Sequence, residues 1–375
     1  MTAGGETYEI FYPKPLPPDP PLDVSPLQDL VDRANQALGR LDGITLLLPS
    51  PEQFLYSYVR KEAVLTAQIE GTQSSLSELL LFEHEEAPGI PKPEIAEPLN
   101  YVRALYHGLD RLEGGFPLSN RLLREIHAVL VQGTRGGELT PGEFRRSQNW
   151  IGGTRPGNAR FVPPPPEEVV PAMSDLEKFL HDQPVRTPIL LKAALAHAQF
   201  ETIHPFLDGN GRLGRLLVTL LLCGEEEVLS RPLLYLSLYL KRNRDQYYER
   251  LQRIRTHGEW EEWVSFFLEG VIEVAHSATE TTRRLLALVE RDRQHIHTLG
   301  RSAASAGRLH ELAVREVVFR IPEAARRLET NEVTIGNAAR NLEQLGVVRE
   351  VTGRRRNKRY VYKEYLAIIE EGTAE

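Results

Sequence analysis

One run of twelve residues constrains this chain more than any other part of its sequence. Residues 204–215 read His-Pro-Phe-Leu-Asp-Gly-Asn-Gly-Arg-Leu-Gly-Arg. Apolar residues at helical spacing precede the run at 190–195 and follow it at 216–221. The pattern predicts a helix, a tight loop and a second helix, with the polar side chains of the run gathered in the loop.

The run is suited to binding a phosphate group. Gly209 and Gly211 allow the backbone to approach an anion closely, and the second helix begins with N–H groups that have no partner within the helix. Such a helix start attracts anions through those groups and through the helix dipole. Arg212 and Arg215 are three residues apart, so they share a helix face and can bind a polyphosphate together.

Two further side chains of the run supply chemistry. Asp208 offers a hard oxygen ligand for Mg²⁺, an ion that usually takes one or two carboxylates plus the phosphates of a substrate. His204 lies just outside the phosphate-binding turn, where a base would meet an incoming hydroxyl. The alternative interpretation is a Gly–Asn turn that begins a structural helix, with the histidine and the aspartate on the surface.

The run resembles the signature of Fic-domain proteins, His-x-Phe-x-(Asp/Glu)-Gly-Asn-Gly-Arg-x-x-Arg, and matches it at every specified position. The resemblance implies a protein adenylyltransferase, which moves AMP from ATP to a Tyr, Thr or Ser hydroxyl of a target protein, or of itself, and releases pyrophosphate. Some relatives transfer other nucleotides or phosphate-containing groups. The implied nucleotide-binding residues are Gly209, Asn210, Gly211, Arg212, Leu213, Gly214 and Arg215.

A second segment, residues 54–70, has apolar side chains at helical spacing and is followed by Gly71, a residue typical of helix ends. Its end, Thr66 to Gly71, is similar to the inhibitory motif (Ser/Thr)-x-x-x-Glu-(Gly/Asn) of self-inhibited Fic proteins. The resemblance implies that Glu70 pairs with Arg215 as a bidentate fork and competes with the γ-phosphate of ATP. It also implies that this glutamate can position a water that removes AMP from a modified target. The alternative is an ordinary glutamate on an amphipathic helix.

Composition excludes several kinds of protein. The net charge of −7 over 375 residues creates no overall field towards nucleic acid or a membrane. Cys223 is the single cysteine, so an intrachain disulfide and a cysteine metal site are excluded. No apolar run reaches the roughly 20 residues of a spanning helix, and the N-terminus does not resemble a secretion signal. We therefore expect a cytoplasmic enzyme without a membrane partner.

Changes of pattern predict four parts in a mainly α chain. Residues 1–45 hold a first helix and a proline-rich arm, whose prolines disfavour helix. Residues 46–274 form the helical Fic domain, which resembles domains that often pair as homodimers. Residues 275–306 form a connector helix, and residues 307–375 form a C-terminal α+β domain.

Residues 145–163 interrupt the helical pattern with glycines and β-formers around a polar tip, which predicts a short hairpin. Fic proteins are similar in having a flap beside the active site that holds a segment of the target protein by strand pairing. The alternative is a structural surface loop. We expect Trp150 and Phe161 to pack in the core.

One tyrosine outside the run joins the nucleotide-binding set by resemblance. Residues 244–251 read Arg-Asp-Gln-Tyr-Tyr-Glu-Arg-Leu, which is similar to a family stretch whose first tyrosine sits near the nucleotide. Tyr247 occupies that position, and its ring could stack on adenine or its hydroxyl could bind a phosphate. The alternative is a half-buried packing residue.

The C-terminal segment resembles a winged-helix module, as found at the end of many Fic proteins. Two short helices surround a turn within residues 321–346, and two strands are joined by a basic tip at 353–358. A recognition helix at about 333–345 would enter a DNA groove, and the tip would contact phosphates. The tip cations are Arg354, Arg355, Arg356 and Lys358. Winged helices also bind proteins and form dimers.

The competing function is therefore a DNA-binding regulator whose Fic domain only senses a nucleotide. The intact His204, Asp208 and both arginines of the run favour the enzyme, because a sensor needs no base.

Overall fold

The computed structural model describes residues 2–3, 6–45, 51–73, 75–84, 92–224, 228–354 and 358–373. It is mainly helical, which confirms the predicted fold class. The helices are α1 (Gln28–Thr45), α2 (Pro51–Ile69), α3 (Leu76–His84), α4 (Lys92–Glu113), α5 (Asn120–Leu130), α6 (Pro166–Leu180), α7 (Ile189–Ile203), α8 (Asn210–Cys223), α9 (Ser237–Arg242), α10 (Arg244–His257), α11 (Trp260–His297), α12 (Ala303–Glu316), α13 (Ile321–Arg327), α14 (Glu332–Gln344) and α15 (Lys363–Glu370). The strands are β1 (Thr2–Ala3), β2 (Glu6–Thr7), β3 (Val318–Arg320), β4 (Val348–Glu350) and β5 (Arg359–Tyr362).

Helices α7 and α8 form the centre of the larger helical part. They pack against each other, with α6, α10 and α11 against α7 and with α2, α4 and α5 against α8. Small and apolar residues along α7 allow it to be buried along almost its whole length. The chain leaves α7 at His204, whose backbone is left-handed (φ 49°), and enters α8 after Gly209 (φ 79°). The predicted helix, loop and helix are therefore present.

The segment predicted to be inhibitory forms α2, which begins at Pro51, three residues before the predicted start, and ends at Ile69. Proline is well tolerated at the first position of a helix, where its missing N–H has no partner to lose. Gly71 adopts φ 98°, a left-handed conformation that favours glycine. This turn leaves Glu70 directly after the last turn of α2.

Helix α11 runs unbroken through the boundary predicted at residue 274. Its 38 residues extend about 57 Å at 1.5 Å per residue. It packs against α1, α7 and α9 and also contacts α12 and α15. The helix continues because no proline occurs within it and apolar residues keep their helical spacing. The boundary predicted between residues 306 and 307 lies inside α12, which begins at Ala303.

The C-terminal segment combines α12–α15 with a three-stranded antiparallel sheet in the order β3-β5-β4. The predicted recognition helix corresponds to α14, and the two predicted strands correspond to β4 and β5. A buried hydrogen bond of 2.7 Å from the Tyr362 hydroxyl to Oδ2 of Asp292 joins this segment to α11. Arg355 and Arg356 lie outside the described residues, whereas Arg354 and Lys358 flank that gap.

The predicted hairpin is reduced to one antiparallel bridge between Ile151 and Phe161. Four prolines at 163–166 lack the N–H that further pairing needs. Phe161 is buried, but Trp150 is 40% exposed, so the expectation that both pack in the core is wrong for Trp150.

In the part that the structure describes, the proline-rich arm forms no helix before Ser25 and contacts the segment at 145–163. The N–H of Phe11 donates to the carbonyl of Val162 (3.2 Å). Farther along the arm, Nε2 of Gln199 in α7 donates to the carbonyl of Lys14 (2.7 Å). Among the described residues, no helix has both the length and the apolar character needed to cross a membrane.

Candidate active site

The loop between α7 and α8 is closed by the side-chain amide of Asn210. Its Oδ1 accepts from the N–H of Phe206 (2.8 Å), and its Nδ2 donates to the carbonyl of the same residue (2.8 Å). Nδ2 of Asn149, from the flap, donates to that carbonyl as well (3.1 Å). Because the reciprocal pair needs both an acceptor and a donor, asparagine fits this buried position and aspartate does not.

A histidine outside the signature supports the loop from α5. Nε2 of His127 donates to the carbonyl of Asp208 (2.9 Å), while Nδ1 accepts from the N–H of Gly142 (2.9 Å). The ring stacks on Phe206 with centroids 3.8 Å apart. Burial lowers the pKa of His127 to about 4. The ring is therefore neutral at pH 7, as its acceptor nitrogen requires.

His204 is held at the end of α7 by a buried arginine. Nε of Arg145 donates to the carbonyl of His204 (2.9 Å), and the backbone N–H of Arg145 donates to the carbonyl of Pro205 (2.9 Å). The His204 side chain is 19% exposed. Burial, reinforced by the charge of Arg255, lowers the pKa of His204 to about 4. The imidazole is therefore neutral at pH 7 and can accept a proton.

Arg212 is a buried cation with unused donors. Its Nη2 lies 3.5 Å from Oδ1 of Asp208, and its Nη1 lies 3.6 Å from Oε2 of Glu97. Within the described part of the chain, its Nε and Nη1 make no hydrogen bond, although only 3% of the residue is exposed. Buried donors of a charged group are normally satisfied. Arg212 is therefore prepared to bind an anion at the loop.

Arg215 is engaged by the end of α2. Its Nη2 donates to Oε1 of Glu70 (2.6 Å) and to the carbonyl of Thr66 (3.1 Å), and its Nε donates to Oγ1 of Thr66 (2.6 Å). The predicted bidentate pair would use both carboxylate oxygens of Glu70. Arg215 instead binds one carboxylate oxygen of Glu70 and the hydroxyl of Thr66. Partial burial would raise the pKa of Glu70, but the charge of Arg215 outweighs it, so the pKa lies below its ordinary value.

The Glu70 carboxylate lies over the first turn of α8. A Cβ atom placed on Gly211 would collide with Oε1 of Glu70. This helix start carries the free N–H groups that favour an anion. A carboxylate therefore stands where the signature predicts a phosphate.

Asp208 is the one predicted metal ligand of the site. Its Oδ1 accepts from the N–H of Gly209 (2.7 Å), and its side chain is 21% exposed. A Cβ on Gly136 would lie 3.0 Å from Oδ2, so this glycine leaves room beside the carboxylate. No group of three His, Cys, Asp or Glu side chains that could hold a metal occurs in the described ranges. A lone carboxylate at a phosphate site fits Mg²⁺, which is held largely by phosphates and water.

Family models match the two parts of the chain that build this site. Residues 28–110, which contain α2, match the model of the Fic/DOC family N-terminal region. Residues 117–222, which contain the run at 204–215, match the model of the Fic/DOC family. The chain belongs to the Fic/DOC family. The two models together span about half of its length.

Curated relatives of this Fic chain match it over part of their length. A probable protein adenylyltransferase of Aquifex aeolicus is 28% identical over 182 residues, which are 48% of this chain and 52% of that protein. The protein adenylyltransferase Fic of Aedes aegypti is 35% identical over 151 residues, which are 39% of this chain and 26% of that protein. The chain thus spans about half or less of the length of these relatives.

Solved Fic structures share the fold. A Fic family protein from Desulfovibrio desulfuricans G20 aligns with 94% of this chain and 98% of its own, with a TM-score of 0.59 and 19% identity. Residues 134–508 of Fic-1 from C. elegans align with 68% of this chain and 73% of their own, with a TM-score of 0.51 and 24% identity.

Three predicted nucleotide-binding residues, Leu213, Gly214 and Tyr247, lie in the protein interior next to the loop. Leu213 is fully buried in the core. The carbonyl of Gly214 accepts from Nδ1 of His197 (2.9 Å), and Nε2 of that histidine is 2.9 Å from the hydroxyl of Tyr247. Tyr247 is only 1% exposed and packs on Trp263. Leu213 and Gly214 are thus buried parts of α8, the helix that carries the arginines, and Tyr247 supports that helix through His197.

Proposed function

We propose that this Fic chain is a protein adenylyltransferase, that it moves AMP from ATP to hydroxyl side chains of target proteins and of itself, and that Glu70 inhibits it. One observation carries the proposal. Glu70 engages Arg215 over the first turn of α8, so a carboxylate of the chain itself is bound by a cation that suits a phosphate. The Aquifex relative, named a probable protein adenylyltransferase, and the Aedes relative, named a protein adenylyltransferase, support the reaction class.

In the proposed reaction, the target hydroxyl attacks the α-phosphorus of ATP. Its proton passes to the neutral imidazole of His204, and the bond from the α-phosphorus to the bridging oxygen breaks. The electron pair leaves with pyrophosphate. Arg212 and Arg215 bind the departing phosphates, and the N–H groups that begin α8 bind phosphate oxygens. Charge stabilisation of this kind supplies most of the acceleration in phosphoryl and nucleotidyl transfer.

We assign Mg²⁺ to Asp208, because its carboxylate is partly exposed beside the phosphate-binding turn. When bound there, Mg²⁺ would neutralise charge on the phosphates. Tyr247 acts in this scheme through His197 and the carbonyl of Gly214, and so positions α8 rather than stacking on adenine.

In this proposal, Glu70 inhibits transfer because it competes with the γ-phosphate of ATP for the guanidinium of Arg215. While Glu70 holds Arg215, the γ-phosphate has lost a cation, and ATP binds in a pose that is wrong for attack. Transfer becomes fast when Glu70 withdraws. The same carboxylate would position water for removal of AMP from a modified target. A target segment would lie along the flap at 145–163, where one bridge between Ile151 and Phe161 leaves backbone groups for pairing.

Intact-mass spectrometry tests the proposal directly. The parent, Glu70→Gly and His204→Ala proteins are incubated with Mg²⁺ and ATP. We expect an added AMP mass that is largest in Glu70→Gly and absent in His204→Ala. If no adduct forms on any of them or on proteins of a cell extract, AMP transfer is the wrong reaction.

A DNA-binding regulator is the second candidate, and α14 is the feature that favours it. Asn337, Arg340 and Gln344 are all exposed along this helix, and Arg354 and Lys358 flank the nearby tip. Such donors suit base edges and phosphates. Fluorescence anisotropy with labelled duplex DNA at several salt concentrations tests this candidate, because phosphate contacts weaken with salt.

A homodimer and a cytoplasmic location belong to the proposal, and light scattering of the purified chain tests the dimer.

A further inference from the structure

We propose that Glu201 is a positioning residue for His204. Its carboxylate accepts the Nδ1 proton of the imidazole, which leaves Nε2 bare to take the proton of the target hydroxyl. The same carboxylate then stabilises the imidazolium that forms. This inference rests on the proposed AMP transfer, since it gives His204 a partner in that reaction.

The two side chains lie close together with unused polar atoms. Glu201 is in the last turn of α7, and its Oε2 is 3.9 Å from Nδ1 of His204. Within the described residues, neither His204 Nδ1 nor Glu201 Oε1 makes a hydrogen bond, although both atoms are buried. A buried carboxyl without its hydrogen bonds costs stability, so its presence calls for a cause. A small side-chain movement would close the gap to a hydrogen bond.

The backbone offers a competing acceptor. The carbonyl of Glu201 also lies near the imidazole and acts to raise the pKa of His204. However, this carbonyl already accepts from Nη2 of Arg255 (3.3 Å), whose Nε donates to Oγ1 of Thr202 (3.2 Å). That carbonyl oxygen would have to accept a second donor, whereas Oε1 of Glu201 makes no hydrogen bond within the described residues and is the unoccupied acceptor.

Helix α8 leaves space for this carboxylate at Gly214. A Cβ atom there would lie 2.8 Å from Oε1 of Glu201 and 3.2 Å from the ring of Phe200. The signature accepts any residue at position 214. Glycine at this position therefore permits the close approach of a buried acid, which phosphate binding does not require.

Charged and titratable groups from three sides face Glu201. They are Arg215 of α8, Glu70 after α2, and Arg255, Tyr247 and Tyr248 of α10, in addition to His204 of its own helix. Burial raises the pKa of Glu201 to about 7, against the opposing charge of Arg215 and with a contribution from Glu70. The carboxyl is therefore ionised above about pH 7 and loses its acceptor charge below it. Activity that depends on the ionised form should fall as the pH falls through this value.

The kinetic test uses the Glu70→Gly background, in which transfer is released. Glu201→Gln keeps the shape of the side chain and removes its charge, and Glu168→Gln on the exposed face of α6 is the matched control. We expect Glu201→Gln to lower kcat about 100-fold, the order of loss for a misplaced catalytic group, with little change in KM for ATP. The acidic inflection of kcat should disappear in Glu201→Gln and persist in Glu201→Asp. This inflection lies below pH 7 in the Glu70→Gly background, because Glu70 no longer raises the pKa of Glu201.

A second measurement does not depend on activity. Histidine ¹⁵N NMR at about pH 8 reports which ring nitrogen carries the proton, and His204→Ala identifies the signal. We expect the proton on Nδ1 in the parent and a shift towards Nε2 in Glu201→Leu. The proposal is overturned if Nδ1 stays protonated in Glu201→Leu and if Glu201→Gln keeps the kcat and the acidic inflection of its parent. That result would assign the role to the backbone carbonyl. If no protein transfers AMP, the proposed function fails and the NMR result alone decides the role of Glu201.

Discussion

Nη2 of Arg215 lies 2.6 Å from Oε1 of Glu70, so the carboxylate that follows α2 neutralises a guanidinium of α8. Thr66, one helical turn earlier, binds the same guanidinium through its hydroxyl and its carbonyl. In the proposed inhibition, the end of α2 therefore controls whether Arg215 is available to a phosphate. Glu70 follows the last residue of α2 and precedes the turn at Gly71, so a movement of Glu70 does not require α2 to unwind.

Glu70→Gly should raise the rate of AMP transfer roughly tenfold or more. A hydrogen bond to a charged group contributes about 1.5–3 kcal/mol, and the 37% exposure of the Glu70 side chain favours the lower end. Initial rates of labelled AMP incorporation measure the change. Glu113→Gly is the matched control, because Glu113 also ends a helix, precedes a glycine and is exposed. An unchanged rate in Glu70→Gly would end the inhibition hypothesis.

His204→Ala should lower transfer by about 10²- to 10⁴-fold, the usual contribution of a general base. ATP binding should survive, because the predicted phosphate ligands lie in α8 and its preceding turn. Isothermal titration calorimetry measures the affinity for ATP, and mass spectrometry measures transfer. His276→Ala on the exposed side of α11 should behave as the parent. Retained transfer in His204→Ala would contradict the assignment of the base.

The sequence predicts those parts of the site that depend on local spacing. The turn between α7 and α8 and the end of α2 near Gly71 follow from short motifs, whereas the approach of Glu70 to Arg215 is implied only by the resemblance to self-inhibited Fic proteins. Two supports of the loop could not be predicted, because they depend on how distant elements pack. Arg145 is adjacent to Arg146 in a doublet that is typical of a surface, yet the fold buries the first and exposes the second.

The other support, His127, has the same origin. It lies in α5 and reaches the loop only because α5 packs against α8. Its sequence context, with apolar residues at helical spacing, predicts burial but gives no partner. The continuous helix α11 is a further case, since a change in composition near residue 274 predicts a boundary while the helical spacing simply continues.

Asn210→Asp should destabilise the fold by roughly 1–3 kcal/mol, the cost of leaving a buried polar group without its partner. Asn149 still donates to the carbonyl of Phe206, but the aspartate would place a buried carboxylate oxygen without a donor where Nδ2 of Asn210 donates at 2.8 Å. Urea unfolding followed by circular dichroism measures the loss. Asn337→Asp on the exposed face of α14 is the control, and equal losses in the two variants would argue against the loop closure.

The free energy of unfolding of Glu62→Gln should increasingly exceed that of the parent as the pH rises from about 5 to about 8. Burial raises the pKa of Glu62 to about 8, although Ser237 and Arg215 oppose the shift. Because the folded pKa exceeds the unfolded value, the parent loses stability as the pH rises from near 4.5 towards 8. The variant lacks this loss, which amounts to at most about 4 kcal/mol. Urea midpoints at both pH values test it, with Glu168→Gln as control, and parallel curves would contradict the buried neutral carboxyl.

Tyr362→Phe should lower the free energy of unfolding by roughly 1–3 kcal/mol. The tyrosine hydroxyl donates to Oδ2 of Asp292, which is only 1% exposed, and lies 3.1 Å from Nε2 of His310. Removal of the hydroxyl leaves a buried carboxylate oxygen without its donor, while Arg291 still pairs with the other oxygen. Because the contact joins β5 to α11, the loss should appear first as faster amide hydrogen exchange in the C-terminal segment. Tyr12→Phe, at an exposed position of the arm, is the control, and unchanged exchange in Tyr362→Phe would show that apolar packing alone holds the segment on α11.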